Sequence, residues 1–236
     1  MKMFRNLKAD EIECRIAQIE KTWCSLLLYK DARCDMNILD ETVGPMNWIR
    51  EHKRDNANCV VSIYNKETDE WINKEDTGTE SFSEAQKGLA SDSFKRACVN
   101  WGIGRELYTS PAIFIIPRKD MVKKGKDGEF FEYKENKYTT KTRFKVEYID
   151  YDENDNIKDL IIRDDKQNIR FMELSKKTEK ELNKQILELK KLIEQKEEKD
   201  ENWERQKLYD YYGVIADNQL TIKQRQEAIE LLRKEN

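Results

Sequence analysis

The sequence predicts an α+β fold in which an antiparallel β-β-β-α core is followed by an extra β-hairpin region and a helical C-terminal tail. Three patterns predict it. Residues 46–77 contain strand-like segments, and apolar residues recur at helical spacing over 83–102. Apolar and polar residues alternate again over 138–172, before a strongly charged helical end. The expected boundaries are 1–172 for the first domain, 173–206 for a charged helical linker and 207–236 for a small helical module.

The three predicted strands of the core lie between residues 46 and 77. Residues 58–64 (NCVVSIY) are β-branched and alternating, and residues 70–77 (EWINKEDT) set Trp71 and Ile72 among polar side chains. Together they predict a hairpin closed around Lys66–Asp69. Residues 46–54 are predicted to add the third strand.

The helix of the core has a start signal, an apolar face and a stop signal. Ser83 and Gln86 form an S-x-x-Q capping box, and Gly102 stands where a helix is expected to end. Between them, apolar residues recur at spacings of four, three and four: Ala90, Phe94, Ala97 and Trp101. This stripe predicts the face that packs on the sheet.

The second half of the chain contains further strands and then helices. Residues 138–151 and 157–163 read as strands joined by the turn-rich DENDN, and residues 169–172 as a short edge strand. From Leu182, Ile186, Leu189 and Ile193 follow at helical spacing in a heptad-like pattern that is short for a coiled coil. A unit with a second helix is predicted over Leu208–Leu232.

Composition excludes several classes of protein. The net charge of -3 leaves room for a local basic stripe, because binding of a polyanion depends on a patch and not on the total charge. Five cysteines without a C-x-x-C pair argue against a disulfide framework or a zinc site. No stretch has the length of a membrane span or the pattern of a signal peptide, so a cytoplasmic protein without membrane contact is expected.

Enzyme motifs are scarce. There is no G-x-x-x-x-G-K-[ST] loop for ATP, and His52 is the single histidine, which disfavours paired-His metal chemistry and a Ser-His-Asp arrangement. We therefore expect no cofactor and no catalysis. One enzymatic alternative stays open, a metal-dependent nuclease, because Glu132-Tyr133-Lys134 has the carboxylate-x-lysine form that such enzymes use.

A second face of the predicted core helix is polar and basic. Lys87, Ser91 and Lys95 are spaced i, i+4 and i+8, Arg96 lies beside Lys95, and Asp92 is placed to pair with Arg96 one turn away. Lys and Arg displace counterions from a phosphate backbone, and a hydroxyl donates to phosphate oxygens. The residues alone leave two interpretations open, a phosphate-binding face or an ordinary solvated face.

The stretch K-G-L-A-S-D-S-F-K-R-A-C-V-N-W-G-I-G, residues 87–104, resembles the signature helix of the Rad52 family of single-strand annealing proteins. The matching positions are Asp92, Lys95, Arg96, Ala97 and Gly102. Two upstream segments resemble family motifs in the same order: I-L-D-E-T-V-G-P-M-N-W through Glu41, Gly44 and Trp48, and E-D-T-G-T-E through Glu75, Asp76 and Gly78. The resemblance covers about residues 30–105 and is closest to phage-type recombinases.

This resemblance implies ATP-independent binding of single-stranded DNA and annealing of complementary strands in recombination and repair. Residues 1–172 would form the annealing domain, and subunits would assemble into a ring or helical filament with DNA in a basic groove. Lys95 and Arg96 would contact the backbone. If phage-encoded, the protein would act in the cytoplasm of a bacterial host cell.

The chain departs from the family pattern in two places, so other basic residues must complete the groove. Val99 stands where the family often has an Arg, and Arg33 lies one position out of register with an expected basic residue. Arg105 is one possible replacement. The only locally basic region, residues 113–145, offers Lys141 and Arg143. The full set of expected DNA-binding residues is Lys95, Arg96, Lys87, Ser91, Arg33, Arg105, Lys141 and Arg143.

The basic hairpin region has two interpretations. Lys141, Arg143 and Lys145 alternate along a predicted strand and would project from one face, either to line the DNA groove or to protect an edge strand from aggregation.

The aromatic residues also have two interpretations, packing in the core or stacking on bases. Trp48 and Trp101 are predicted in the core, whereas Trp71, Tyr64 and Tyr108 are weaker candidates for stacking on bases.

Protein partners are expected at the C-terminal end. The unit Leu208–Leu232 resembles the small helical tail modules of phage recombinases, which implies docking on single-strand-binding protein or on an exonuclease. The other interpretation is a terminal helical pair that packs on its own core or on a neighbouring subunit. A related alternative for the whole chain is a DNA-binding scaffold that recruits partners without annealing.

Overall fold

A computed structural model describes residues 3–79, 85–117, 122–123, 131–199, 203–214, 216 and 219–234. The chain forms two compact units, the first from Met1–Glu13 and Leu28–Ser110 and the second from Cys14–Leu27 and Pro111–Asn236.

The strands and helices follow one another in this order: β1 (Glu13–Ile19), β2 (Cys24–Tyr29), α1 (Ala32–Val43), β3 (Trp48–Lys53), β4 (Asn58–Asn65), β5 (Glu70–Thr77), α2 (Ala85–Trp101), β6 (Ile113–Ile115), β7 (Val122–Lys123), β8 (Phe131–Lys134), β9 (Lys137–Thr139), β10 (Phe144–Tyr151), β11 (Ile157–Asp164), β12 (Ile169–Glu173), α3 (Lys176–Lys199), α4 (Arg205–Tyr212) and α5 (Ile222–Lys234). The mixed α+β class with antiparallel sheets and C-terminal helices is confirmed.

The first unit contains the antiparallel sheet β3-β4-β5 with α2 packed against it. The predicted hairpin, third strand and helix are all present, although Ser83 of the expected capping box lies outside the described residues. On β4, Cys59, Val61 and Ile63 are buried because alternation places them on one face. On α2, Phe94 and Ala97 of the predicted stripe are fully buried.

Helix α1 is fixed at both ends by side-chain and backbone geometry. The Asp31 carboxylate accepts hydrogen bonds from the backbone amides of Arg33 and Cys34, which satisfies donors at the helix start. The helix ends at Gly44, whose φ of 87° lies in the left-handed region. Ile38 and Leu39 are fully buried on the helix, which packs against α2.

Gly78 is the point of closest approach between the end of β5 and α2. A Cβ atom there would lie 2.5 Å from the backbone nitrogen of Ser93 and 2.7 Å from the carbonyl oxygen of Leu89. Since both are backbone atoms of one helix, neither can move without displacing α2. The glycine of the E-D-x-G motif is therefore a packing requirement.

We expect Gly78→Ala to lower the free energy of unfolding by about 1–3 kcal/mol, the usual cost of overpacking. Urea denaturation measures it. Thr77→Ala, at the exposed neighbouring position, is the control and should change stability by less than about 0.5 kcal/mol. Equal stability of the two variants would contradict the close approach.

The second unit is built on a six-stranded sheet in the order β12-β11-β10-β1-β2-β6. Strand β11 is buried on both faces, since consecutive residues Leu160, Ile161 and Ile162 are all shielded from solvent. The predicted strands 157–163 and 169–172 correspond to β11 and β12 and are confirmed. A small separate sheet has the order β7-β8-β9.

The expected single strand over residues 138–151 is wrong. Strand β9 ends at Thr139 and pairs with β8, whereas β10 begins at Phe144 and pairs with β11. Between them the Thr140 hydroxyl accepts a hydrogen bond from the Thr142 amide, a local turn that competes with ladder pairing. Lys141 and Arg143 consequently lie outside the strands.

Helices α3, α4 and α5 share one apolar core. The buried members are Leu189, Ile193, Leu208, Tyr209, Val214, Leu220, Ala228, Ile229 and Leu232. Arg163 of β11 ties this end to the sheet, because its buried guanidinium pairs with Glu147 and donates to the carbonyl oxygens of Gln219 and Leu220. Docking of the 207–236 module on a partner stays a prediction, as do the 173–206 and 207–236 boundaries.

In the part of the chain that the structure describes, none of the helices combines the length and the apolar character that a membrane crossing requires.

Candidate nucleic-acid interface

Helix α2 presents its basic residues on the side away from its buried stripe. Lys95 is partly exposed and the Arg96 side chain is 44% exposed, while Phe94 beside them is fully buried. Ser91 is partly buried one turn before Lys95. Lys87 lies on α2, but its side chain falls outside the described residues.

Arg96 pairs with the end of β5. Its Nε lies 3.3 Å from Oδ1 of Asp76 and donates to it. Asp92 instead accepts from the backbone amide of Thr79 at 2.9 Å and from its hydroxyl at 3.1 Å. The expected Asp92–Arg96 pair is thus replaced by two contacts that join α2 to the segment after β5.

Asn100 forms a second link between these elements. Its Nδ2 donates to the Glu75 carbonyl oxygen at 3.0 Å and to Oδ2 of Asp76 at 3.3 Å. Lys74 of β5 also contacts α2. Its Nζ donates to the Asn100 carbonyl oxygen at 2.8 Å and lies 4.5 Å from the centre of the Trp101 ring. The E-D-x-G and K-R-A segments therefore meet side by side.

Two tryptophans connect the sheet and α1 to this helix, but both are partly buried and not enclosed in the core as expected. Trp48 stacks on Phe94 with ring centres 6.1 Å apart and donates its Nε1–H to Asp40 at 2.7 Å. Trp101 donates its Nε1–H to the Val61 carbonyl oxygen at 2.9 Å. Arg50 lies over the Phe94 ring, with its guanidinium carbon 4.8 Å from the ring centre.

The remaining aromatic candidates differ in exposure. Trp71 is 42% exposed and Tyr108 is 71% exposed. Tyr64 donates its hydroxyl to Asp69 and lies 5.5 Å from the Trp71 ring centre. A stacking role for these three side chains stays a prediction.

A buried ion pair lies between α1 and α2. Asp35 is fully buried on α1, and Lys30, almost fully buried just before the helix, donates from Nζ to its Oδ1. Burial raises the pKa of the Asp35 carboxyl to about 6, although Lys30 and Lys95 both act to lower it. Burial also raises the pKa of the Cys98 thiol well above its ordinary value, so this cysteine is an unreactive thiol.

The other predicted cations of the first unit have partners of their own. Arg33 is exposed and its Nη2 lies 2.7 Å from Oδ2 of Asp31, the residue that caps α1. Arg105 is exposed and its Nη2 donates to the carbonyl oxygens of Val99 and Asn100, which closes the end of α2. Both guanidinium groups keep an exposed surface.

The basic candidates at residues 141 and 143 belong to the second unit. Lys141 and Arg143 are exposed in the segment between β9 and β10, and Lys145 is exposed on β10. The three residues are therefore accessible cations, but they do not form the expected row along one strand.

The nuclease hypothesis rests on Glu132-Tyr133-Lys134 in β8. Glu132 is buried, and the side chain of Lys134 falls outside the described residues. Among the residues that the structure describes, no group of three or more His, Cys, Asp or Glu side chains could hold a metal ion.

Sequence reasoning missed three residues that shape this site, Lys30, Arg50 and Lys74, and it placed Asp76 in a family motif without assigning it a partner. A signal for two of them exists, because the cross-strand register aligns Arg50, Val61 and Lys74, and strand alternation then puts both cations on the side that meets α2. The ion pairs Lys30–Asp35 and Asp76–Arg96 depend on how the helices and strands pack together. The spacing of residues along the sequence does not indicate that packing.

Comparison with known proteins identifies this region. Residues 55–125 match the model of the Rad52/22 family double-strand break repair protein. The single-stranded DNA-binding protein DdrA of Deinococcus radiodurans is 36% identical over 94 residues, which are 39% of this chain and 45% of that protein, so the match spans less than half of the relative's length. No solved structure matches the chain. The family match contains β4, β5 and all of α2, and it agrees with the resemblance that the sequence motifs indicated.

Proposed function

We propose that the protein binds single-stranded DNA through the outer face of α2 and anneals complementary strands without ATP, in homologous recombination and repair. The observation that carries the proposal is the two-sided character of α2. Phe94 and Ala97 hold the helix to the sheet, and Lys95 and Arg96 stand on the opposite side at the point where two family motifs meet. The family match and the DNA-binding relative support the same function.

The mechanism is electrostatic and involves no covalent step. Lys95 and Arg96 would bind phosphates and release condensed counterions, which lowers the repulsion between two strands that are about to pair. Base pairing then supplies the driving force. Arg33 and Arg105 keep exposed guanidinium surface in the same unit, and we propose that they extend the track. Lys141 and Arg143 are proposed to add contacts from the second unit.

Self-association into a ring or filament belongs to the same proposal. The described side chains of α2 include two cations with some exposed surface, Lys95 and Arg96, and two or three phosphate contacts give weak binding at physiological salt. Repetition of the site along one strand raises the overall affinity through effective concentration. A phage origin, a cytoplasmic location and a partner for the C-terminal module remain predictions from the sequence.

The proposal is tested by mixing complementary fluorescent oligonucleotides with the protein in chelator and without nucleotide. We expect pairing to be faster than the spontaneous reaction, and we expect a non-complementary pair to give no signal. Binding without faster pairing would support the scaffold alternative. Strand cleavage that appears only when magnesium replaces the chelator would support the nuclease alternative.

A further inference from the structure

The contact between Arg96 and Asp76 has a defined direction. The Nε of Arg96 donates to Oδ1 of Asp76, so the side of the guanidinium nearest the helix is engaged. A guanidinium carries five N–H groups in a rigid planar fork, and its two terminal nitrogens can donate together to two oxygens of one phosphate. A hydrogen bond at Nε therefore orients the guanidinium and leaves the N–H groups of both terminal nitrogens available to a phosphate.

We propose that Asp76 is a positioning residue for DNA binding: it holds the Arg96 guanidinium so that the terminal edge meets a single phosphodiester in bidentate geometry. This inference rests on the proposed function and assigns a role to an acidic residue inside a site for a polyanion. Restricting an arginine before binding reduces the conformational entropy that it loses on contact with the ligand.

Asp76 is itself well fixed, which a positioning residue requires. Its Oδ1 accepts from the Thr77 amide at 2.7 Å, and its Oδ2 accepts from Asn100 at 3.3 Å. The residue lies within β5, opposite Cys59 of the central strand. The carboxylate is therefore held by the sheet and by α2, and it transmits that fixed position to Arg96.

The opposite interpretation is that Asp76 merely competes with phosphate for Arg96. The two interpretations predict opposite signs. If the carboxylate only repels DNA, its removal should tighten binding. If it positions Arg96, its removal should weaken binding even though a negative charge has been taken away from the site.

The test measures the affinity of an oligo-dT probe for five variants of the full chain. We expect Asp76→Ala to weaken binding about threefold to tenfold and Asp76→Asn to weaken it less, because the Asn oxygen can still accept from Nε. Glu70→Ala is the control, since it removes an exposed carboxylate from the other end of β5 and leaves the Arg96–Asp76 contact. It should stay within about twofold of the wild type.

Combination with Arg96→Ala separates positioning from general damage to the fold. If Asp76 acts through Arg96, then Asp76→Ala should have little further effect on affinity in the Arg96→Ala background. An equal loss in both backgrounds would overturn the inference, as would unchanged or tighter binding by Asp76→Ala and Asp76→Asn. In those cases weaker binding by Arg96→Ala alone would leave the proposed function standing. An Arg96→Ala variant that binds normally would overturn both.

Discussion

The double variant Lys95→Ala/Arg96→Ala is expected to bind single-stranded DNA about 30- to 150-fold more weakly than the wild type, through loss of two charge-assisted contacts of about 1–1.5 kcal/mol each. The fold should survive. Arg96 forms a partly exposed ion pair with Asp76, and ion pairs at a protein surface contribute about 0–1 kcal/mol to stability. Fluorescence anisotropy of a labelled oligonucleotide measures the affinity, and thermal unfolding checks the fold.

The matched control for this experiment is Lys190→Ala/Lys191→Ala on α3. It also removes two adjacent, exposed positive charges from a helix, but from a helix to which we assign no DNA contact. Its affinity should stay within about threefold of the wild type, because the proposal places no phosphate contact on α3. If both double variants lost affinity equally, net charge rather than the α2 face would explain binding.

The substitution Lys30→Met is expected to give the largest loss of stability, about 3–5 kcal/mol near neutral pH, because it leaves the fully buried Asp35 carboxylate without its cation. Met retains most of the apolar volume of the Lys30 stem, so the loss reports mainly on the charge. Chemical denaturation of the wild type and the variant at pH 7.5 measures the difference.

The Lys30–Asp35 pair also predicts the direction in which the free energy of unfolding changes with pH. The pKa of Asp35 is raised to about 6 in the folded protein, above the ordinary aspartate value of about 3.9. The stability associated with its protonated form is therefore fully present below about pH 3.9 and is lost as the pH rises through about 6. In Lys30→Met, protonation of the Asp35 carboxyl removes the cost of burying its charge. The loss in the free energy of unfolding relative to the wild type should therefore be smaller at pH 5 than at pH 7.5.

The control for this prediction is the double variant Lys30→Met/Asp35→Leu. Replacing both members of a buried ion pair with apolar groups is often neutral or stabilising, so most of the lost stability should return. The pH dependence of the difference should also disappear. A Lys30→Met variant that loses the same free energy at both pH values would show that Asp35 does not carry the effect.

The part of the fold that was predictable from sequence is the part whose signal is local. Strands β4 and β5 and helix α2 were recognised because their apolar residues repeat at the period of one secondary structure. Gly102 was recognised as a helix end, and it has a positive φ. In each case the information that decides the structure lies within a few neighbouring residues.

The break between β9 and β10 shows where such signals fail. Residues 138–151 alternate well enough for one strand, but the Thr140 hydroxyl bonds the Thr142 amide and the ladder stops. The two halves then join different sheets, and Lys141 and Arg143 lie in the segment between them. Thr is common in strands, and the pattern gave no warning of the turn.

The sequence predicted the basic residues of the candidate site but not the residues that contact them. Sequence spacing favours a pair four residues apart on one helix, which suggested Asp92 for Arg96. The structure assigns Asp76 to Arg96, because docking of β5 on α2 brings together residues twenty positions apart. The family resemblance located both motifs without indicating that they touch.

The central claim is that Lys95 and Arg96 each neutralise a DNA phosphate, and the salt dependence of binding tests it most directly. For single-stranded DNA, the logarithm of the binding constant should fall linearly with the logarithm of the salt concentration, with a slope of about 0.7 for each phosphate contact. We predict that Lys95→Ala/Arg96→Ala lowers that slope by about 1.4 per site relative to the wild type. Equal slopes for the two proteins would contradict the account.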